Sequence, residues 1–384
     1  MKPASRRPCT ATIVQHALDN GVNGADYIQV AELSAAQIFR RPTPDPCRPL
    51  PRQFGYWFHT GPGFADADEK IYGHRLLSTT GACVLGREGV VVYKGNWLDT
   101  MSLNYVRTDS PDLQFTHHGD SIVFQPPARC LDGRYLLGFN AGHDNYAHFV
   151  TDQLPVLYHY RRHFMDQGVR LLMPAAAASY VGQYLRLLGI ADTAVEYVGN
   201  EVVEVAELIH ANVFSFNSIP ASVPKLLADF QRDHLPPVDG RKRRIFVSRR
   251  DTVVRTLLNE QSVCALLERY GFEIVVPGEL SVVDQIDTFR SADWVVGVHG
   301  AALANIAYCR PGTSVIEIFP EYTVSSHFWM LASQFGLRYG VLFGTSFDQD
   351  EGLVSQAGSW NGPFVVSEDS LESVFKEASL RRSG

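Results

Sequence analysis

A chain of 384 residues is too long for one ordinary core and suits two domains of about 150–200 residues each. With 45% hydrophobic and 20% charged residues it is globular rather than broadly disordered, and a net charge of −7 excludes a general nucleic-acid binder, which is ordinarily basic. Its six cysteines (Cys9, Cys47, Cys83, Cys130, Cys264 and Cys309) are scattered without a C-x-x-C pair, which excludes a zinc ribbon or a compact disulfide framework and suits reduced thiols.

The N-terminal stretch lacks the apolar core of a signal peptide. The longest weakly apolar run, WVVGVHGAALANIAY, has 15 residues and includes a His and an Asn, short of the ~20 a membrane helix needs. These features predict a cytoplasmic protein without a transmembrane segment, associated with a membrane, if at all, peripherally at its inner face.

Residues 1–75 are rich in Pro and Gly, show no sustained period, and are expected to form an irregular N-terminal extension. From about 80 to 125, runs such as GACVLG, GVVVYKG and DSIVFQPP alternate with turn residues and predict β-hairpins. RYLLGF then predicts a strand leading through a Gly-containing turn into a helix that begins near NYAHFVTDQLP. Pro155 cannot donate a backbone bond to Thr151 and should bend or restart that helix. VRLLMP and AELIHANVF predict further strands, with ASYVGQYLRLLGI a helix between them ending at Gly189. The Pro-, Gly- and charge-rich RDHLPPVDGRKRR predicts an interdomain linker.

Beyond it the pattern becomes regular. RRIFVSRR, EIVVP, WVVGVHG, TSVIEIFP and RYGVLFG predict strands. Helices are predicted between them, capped by Asn259 and Ser281, with Gly271 as a stop. Strands alternating with helices imply βαβ units on a parallel sheet, a Rossmann-like domain. SEDSLESVFKEASLRR predicts a closing helix. The division expected is 1–75, 76–235 (an acceptor-side α/β domain), 240–360 (a nucleotide-sugar domain) and 361–384.

In an open α/β sheet, ligands bind beyond the carboxyl ends of the strands. Those ends carry Ser248, Arg249 and Arg250, with Arg255 in the following loop; then His299, Gly300 and Ala301; then Glu317. GVHGAALAN places small residues at a helix N-terminus, where backbone N–H groups favour a phosphate. Arginines could add bidentate contacts to the same anion, and Glu317 could accept from ribose hydroxyls. Neither G-x-G-x-x-G nor a P-loop occurs. The plainer alternative is that Gly297 and Gly300 serve close packing and the arginines pair with surface carboxylates.

In NYAHFVTDQLPVLYHY, Asn145, His148 and Asp152 share one helix face. They could form a general-base pair with a neighbour, a buried structural pair, or, with His143 and His159, part of a metal site.

These motifs together resemble glycosyltransferase family 61, the DUF563-type transferases, on NYAHFVTDQLP, RRIFVSRRDTVVRTLLNE, GFEIVVPGELSVVDQIDTFRSADWVVGVHGAALAN and VIEIFP, over roughly residues 80–345. The resemblance implies a GT-B fold, two Rossmann-like α/β domains facing a cleft, here with a β-hairpin-rich N-terminal extension. It also implies an inverting, metal-independent transferase without a cofactor, which moves a sugar from a nucleoside-diphosphate donor, foremost a UDP-sugar. The acceptor expected is a glycan, a lipid-linked glycan or a small molecule. By the same resemblance Arg249, Arg255, His299, Gly300, Ala301, Asn305 and Glu317 match the donor site, and Asp152 with His148 the base. Asp152 is the first choice, and His148 its alternative or orienting partner. Asn145, His143 and Ser248 are expected as supports on the acceptor side or behind the site. Eukaryotic members act in the secretory pathway behind a membrane anchor that is not evident here, which favours a cytosolic enzyme of polysaccharide, lipid-linked glycan or secondary-metabolite synthesis. Two rivals stand beside it: a catalytically silent nucleotide-sugar-binding scaffold, and a metal-dependent hydrolase built on His143, His148, Asp152 and His159.

Overall fold

The computed structural model describes residues 9–14, 28–35, 37–41, 67–71, 73–93, 97–99, 114–118, 121–212, 219–238, 240–320, 325–348, 352–353 and 361–380. The chain divides into two compact units, Met1–Gln37 with Lys70–His234 and Ile38–Glu69 with Leu235–Gly384. Both are α/β with parallel strands. No described helix is long and apolar enough to cross a membrane.

In the C-terminal unit, five parallel strands lie in the order Phe272–Val275, Arg243–Val247, Ala292–Val298, Ser314–Phe319 and Arg338–Phe343. In chain order this is 2-1-3-4-5, a doubly wound sheet. Apolar runs such as WVVGV and VIEIF are buried throughout, as strands covered on both faces require. The helices Glu260–Arg269, Val282–Arg290 and His327–Gln334 cover the sheet. Ser281 caps the second of these, its Oγ accepting from the Asp284 N–H at 3.2 Å. The expected cap Asn259 does something else: its side chain pairs with the backbone of Val366 in both directions, tying the first helix to the chain beyond the sheet. The closing helix, Glu368–Leu380, inserts Leu371, Val374 and Phe375 among Trp294, Phe272 and Phe246. Burying each such side chain contributes about 1.5–3 kcal/mol, so this helix is part of the unit's core rather than a separate tail.

The sheet order places a switch point between Arg243–Val247 and Ala292–Val298, where successive connections leave in opposite directions. Gly297 lets the two strands close there: a Cβ on it would lie 2.9 Å from Val247 Cβ and from Leu303 Cδ2.

The N-terminal unit holds a larger sheet. Val195–Val198, Arg170–Pro174, Arg129–Leu137 and Val202–Ala211 run parallel. His74–Leu85, Val90–Tyr93 and Trp97–Asp99 continue it antiparallel, followed by Cys9–Val14, Ser121–Phe124 and Phe115–His118, while Ile28–Ser34 pairs with His74–Leu85. The expectation of an irregular segment over 1–75 therefore fails where that segment is described, since Cys9–Val14 and Ile28–Ser34 are strands of this sheet. A Rossmann-like pattern accounts for the four parallel strands alone. Of the expected linker, residues 232–234 end a helix, Val223–His234, whose apolar face buries Val223, Leu227 and Phe230.

Candidate functional site

At the switch point of the C-terminal unit, Val247 leads into Ser248 and Arg249, and Val298 into His299 and Gly300. Gly300 is extended (φ 171°), so its backbone would accept any residue, but a Cβ there would fall 1.6 Å from Arg249 Nη1. The guanidinium occupies the space a side chain would need. Arg249 Nη2 donates to the Val254 carbonyl at 3.1 Å, folding the loop back over the arginine. Burial lowers the pKa of Arg249, with Asp251 opposing.

Arg255 is the one non-glycine residue in the left-handed region among the described residues, at φ 54°. That backbone costs of order 1–3 kcal/mol and is held by three bonds. The Arg255 N–H donates to Asn361 O at 2.9 Å, Nη1 to Asn361 Oδ1 at 3.2 Å and Nε to His299 O at 3.0 Å. Burial, then the Arg249 charge, pushes its pKa down to about 10, with Glu317 opposing; the side chain stays cationic at neutral pH. Two half-buried guanidinium groups close enough to repel each other form a site that an anion would relieve. Arg250 differs: it is exposed and reaches Glu279 on the surface at 3.4 Å. The plainer alternative is thus correct for this arginine.

Gly300 opens Ala301–Tyr308, the short helix expected there, which is of the 3₁₀ type with Leu303 N–H bonded to Gly300 O at 2.9 Å. The N–H groups of Ala301 and Ala302 precede the first helical bond and have no acceptor within the helix. Gly300→Ala is expected to leave the melting temperature nearly unchanged, because Arg249 can swing away. It should weaken pyrophosphate or nucleoside-diphosphate binding about 10-fold or more, through loss of charge-assisted hydrogen bonds. Calorimetric titration and a melting curve check both halves.

Two expected donor-site residues face inward instead. Glu317 is fully buried, with His299 Nδ1 2.5 Å from Oε1 and Tyr339 Oη donating to Oε2. The expectation that it meets ribose hydroxyls is therefore corrected: both of its oxygens are engaged inside the unit. Asn305 is fully buried and donates to Gln285 Oε1 and Ala302 O, both at 3.1 Å, so it joins two helices rather than lining the site. Ser248 Oγ bonds the Glu260 carboxylate and accepts from the Arg250 N–H, which fixes the turn that aims Arg249.

In the N-terminal unit, strand Arg129–Leu137 ends at Gly138, where a Cβ would fall 2.5 Å from Met173 Sδ. The loop beyond it enters Tyr146–His148, a π-helical turn Phe149–Gln153 and the helix Leu154–His163. Leu154 N–H bonds Phe149 O, five residues back, and beyond this wide turn the α-helix restarts at Leu154 with Pro155 in its first turn, one of the two outcomes expected at that proline. Thr151 Oγ1 shares its proton between the Ala147 carbonyl at 3.0 Å and Asp152 Oδ1 at 2.9 Å. His148 Nδ1 lies 3.5 Å from Asp152 Oδ2, with side-chain exposures of 16% and 1%. The buried carboxylate backs a histidine that reaches the surface.

Asn145 does not extend this pair, because its Oδ1 caps the helix, accepting from the Ala147 N–H at 3.0 Å. His143 is buried, its carbonyl held by Tyr180 Oη at 3.0 Å; burial lowers its pKa, and Asp144 opposes. His159 packs against His163 with ring centroids 4.4 Å apart and the rings tilted by 37°, and burial, then the His163 charge, pushes its pKa down to about 4. Among the described residues no three His, Cys, Asp or Glu side chains group to hold a metal ion.

Sequence reasoning missed Tyr339, Asn361, Thr151 and Glu260. The first two lie far along the chain from the groups they hold, and no spacing signals such contacts.

The family model described as Glycosyltransferase 61 matches residues 146–316, a span that includes His148, Asp152, Arg249, Arg255, His299 and Gly300. The chain is similar to an alpha-1,3-arabinosyltransferase (XAT2) of Oryza sativa subsp. japonica, 33% identical over 108 residues, 26% of this chain and 18% of the relative. A second alpha-1,3-arabinosyltransferase of that organism (XAT3) is 32% identical over 93 residues, 22% of this chain and 16% of the relative. A xylan glycosyltransferase of Arabidopsis thaliana (MUCI21) is 30% identical over 91 residues, 22% and 18% respectively. The chain thus spans less than a fifth of the length of these curated relatives.

Proposed function

From a chain whose residues 146–316 belong to glycosyltransferase family 61, we propose a transferase that moves a sugar from a nucleoside-diphosphate donor to a hydroxyl of a glycan or other acceptor. The donor is a UDP-sugar and the reaction inverts the anomeric centre by single displacement. The C-terminal unit binds the donor and the N-terminal unit supplies the base, the division of labour of a GT-B enzyme. One observation carries this best: the half-buried Arg249 guanidinium lies over Gly300 at the sheet's switch point, with Arg255 beside it. Fixed cations there neutralise the charge that develops on a departing diphosphate without reorganising during the reaction.

On the acceptor side, His148 is the proton acceptor and Asp152 its orienting partner. This order is favoured by burial, since the Asp152 carboxylate is almost fully enclosed and already accepts a hydrogen bond from the Thr151 hydroxyl, whereas the imidazole is the more exposed of the two. In the step, the acceptor hydroxyl loses its proton to His148 as its oxygen bonds the anomeric carbon. The bond from that carbon to the diphosphate breaks, and the electron pair leaves with the phosphate oxygen against Arg249 and Arg255. No protein-bound metal is proposed for the step.

A melting panel tests the reading with UDP, GDP and CDP, each with and without EDTA, followed by transfer assays that include UDP-arabinose and UDP-xylose because the relatives are named for arabinosyl and xylan chemistry. UDP at about 100 times its dissociation constant should stabilise the fold by ~2.7 kcal/mol, a shift of a few degrees that EDTA leaves intact. No shift with any nucleotide, or one abolished by EDTA, rejects the reading as stated.

A further inference from the structure

Residues 361–366 lie beyond the span that the family model matches, yet they run along the loop that carries Arg255. Phe364 N–H donates to Thr256 O at 3.0 Å and Leu258 N–H to Phe364 O at 2.8 Å, a parallel bridge between Leu257 and Phe364. Asn259 closes the far end, its Nδ2 donating to Val366 O at 2.8 Å and its Oδ1 accepting from Val366 N–H at 3.1 Å. The segment is itself anchored. Phe364 has no exposed surface and shares the buried core with Leu257, and Phe364–Val365 pairs antiparallel with Thr345–Asp348.

The near end of the segment meets the peptide between Val254 and Arg255. Its N–H donates to Asn361 O at 2.9 Å, and its carbonyl accepts from Arg249 Nη2 at 3.1 Å. A peptide is one rigid plane, so the bond that fixes its N–H also fixes the acceptor on which Arg249 rests. Asn361 Oδ1 then accepts from Arg255 Nη1 at 3.2 Å. Local preference opposes this arrangement. Arg255 has the left-handed φ of 54° that a β-carbon disfavours, and burial and then the Arg249 charge lower its pKa. Like charge and backbone strain would both turn a released Arg255 toward water.

We propose that residues 361–366 are a strap that holds both donor-site arginines, with Asn361 the positioning residue that sets the Arg255 charge beside Arg249 for the diphosphate. This rests on the donor-site reading above. The Asn361 carbonyl sets the peptide that Arg249 leans on, and its side chain sets the second guanidinium. A fixed charge acts on a diphosphate through its field, whichever of its N–H groups the fold already uses. The strap therefore supplies place, and Arg255 the charge.

The test uses the full chain as Asn361→Ala, Arg255→Ala and the double variant, with UDP affinity by calorimetry and melting temperature. Asn361 is exposed, so Asn361→Ala should fold and melt within a few degrees of wild type. It should bind UDP ~3–10-fold more weakly, the equivalent of one hydrogen bond's hold on the arginine. Arg255→Ala should cost ~10-fold or more. Adding Asn361→Ala to it should cost nothing further, because the asparagine side chain acts only through the guanidinium. A merely structural side chain would cost the same in both backgrounds. UDP affinity within twofold of wild type in Asn361→Ala, or losses that multiply in the double variant, overturns the proposal. If wild type binds UDP and Arg255→Ala binds it equally well, this role falls while the site at Arg249 stands. A wild-type protein that binds neither UDP nor GDP overturns the donor-site reading itself, so the wild-type titration tells the two failures apart.

Discussion

Arg249→Ala is expected to weaken UDP binding by about 10–150-fold, the equivalent of losing one or more charge-assisted hydrogen bonds worth about 1.5–3 kcal/mol. The effect should be this large because the guanidinium is already partly stripped of water, as the downward pKa shift from burial indicates, and its contacts to a diphosphate are little screened. The arginine is also pre-positioned, between the Val254 carbonyl and the bare Cα of Gly300, so little ordering is needed on binding. Arg250 supplies the control. Exposed and paired with Glu279 at the surface, it should tolerate alanine with less than a twofold change in affinity, since such pairs contribute about 0–1 kcal/mol. Equal effects at the two positions would mean that charge near the sheet edge, rather than the switch-point geometry, attracts the nucleotide.

His148→Ala should lower turnover by ~10²–10⁴ while leaving UDP affinity intact, the range expected when a positioned base is lost. Asp152→Asn should fall in the same direction, because an amide beside Nδ1 no longer holds the imidazole in one tautomer. Both variants lie in the N-terminal unit, whereas the candidate nucleotide site is built in the C-terminal one, so calorimetry separates loss of chemistry from loss of binding. If Asp152→Asn abolishes transfer and His148→Ala keeps it within a few-fold, the carboxylate is the base and the histidine its support. If both retain near-wild-type turnover, the pair is structural.

The parts of this protein that depend on local pattern could be read from the chain alone. Near-continuous apolar runs such as WVVGV, separated by helical periods and glycine stops, specify buried parallel strands and their helices, since each signal is decided within a few residues. The same holds for Ser281 as a cap and for Arg249, His299 and Gly300 as strand-end residues. The periodicity failed where another hydrogen-bond partner competed, near in the chain for Asn145 and distant for Asn259. Asn145 does cap a helix, but that takes it out of the polar face it was expected to share, and Asn259 gave up its cap for the Val366 backbone. The π turn at Phe149–Gln153 arose where Pro155 lacks a donor and Thr151 provides one, a choice settled among neighbouring bonds rather than by spacing.

What only tertiary structure decided is which side chains meet. Arg249 needs Gly300, Arg255 needs Asn361 to hold an unfavourable backbone, and Glu317 meets Tyr339 and His299 instead of a ligand. Of two adjacent arginines, one turns inward and one outward, which composition and charge cannot distinguish. The physical reason is common to all of these: secondary structure is selected by interactions over three or four residues, whereas a site is assembled by strand order and burial, which bring distant positions together and desolvate some charges while leaving others in water.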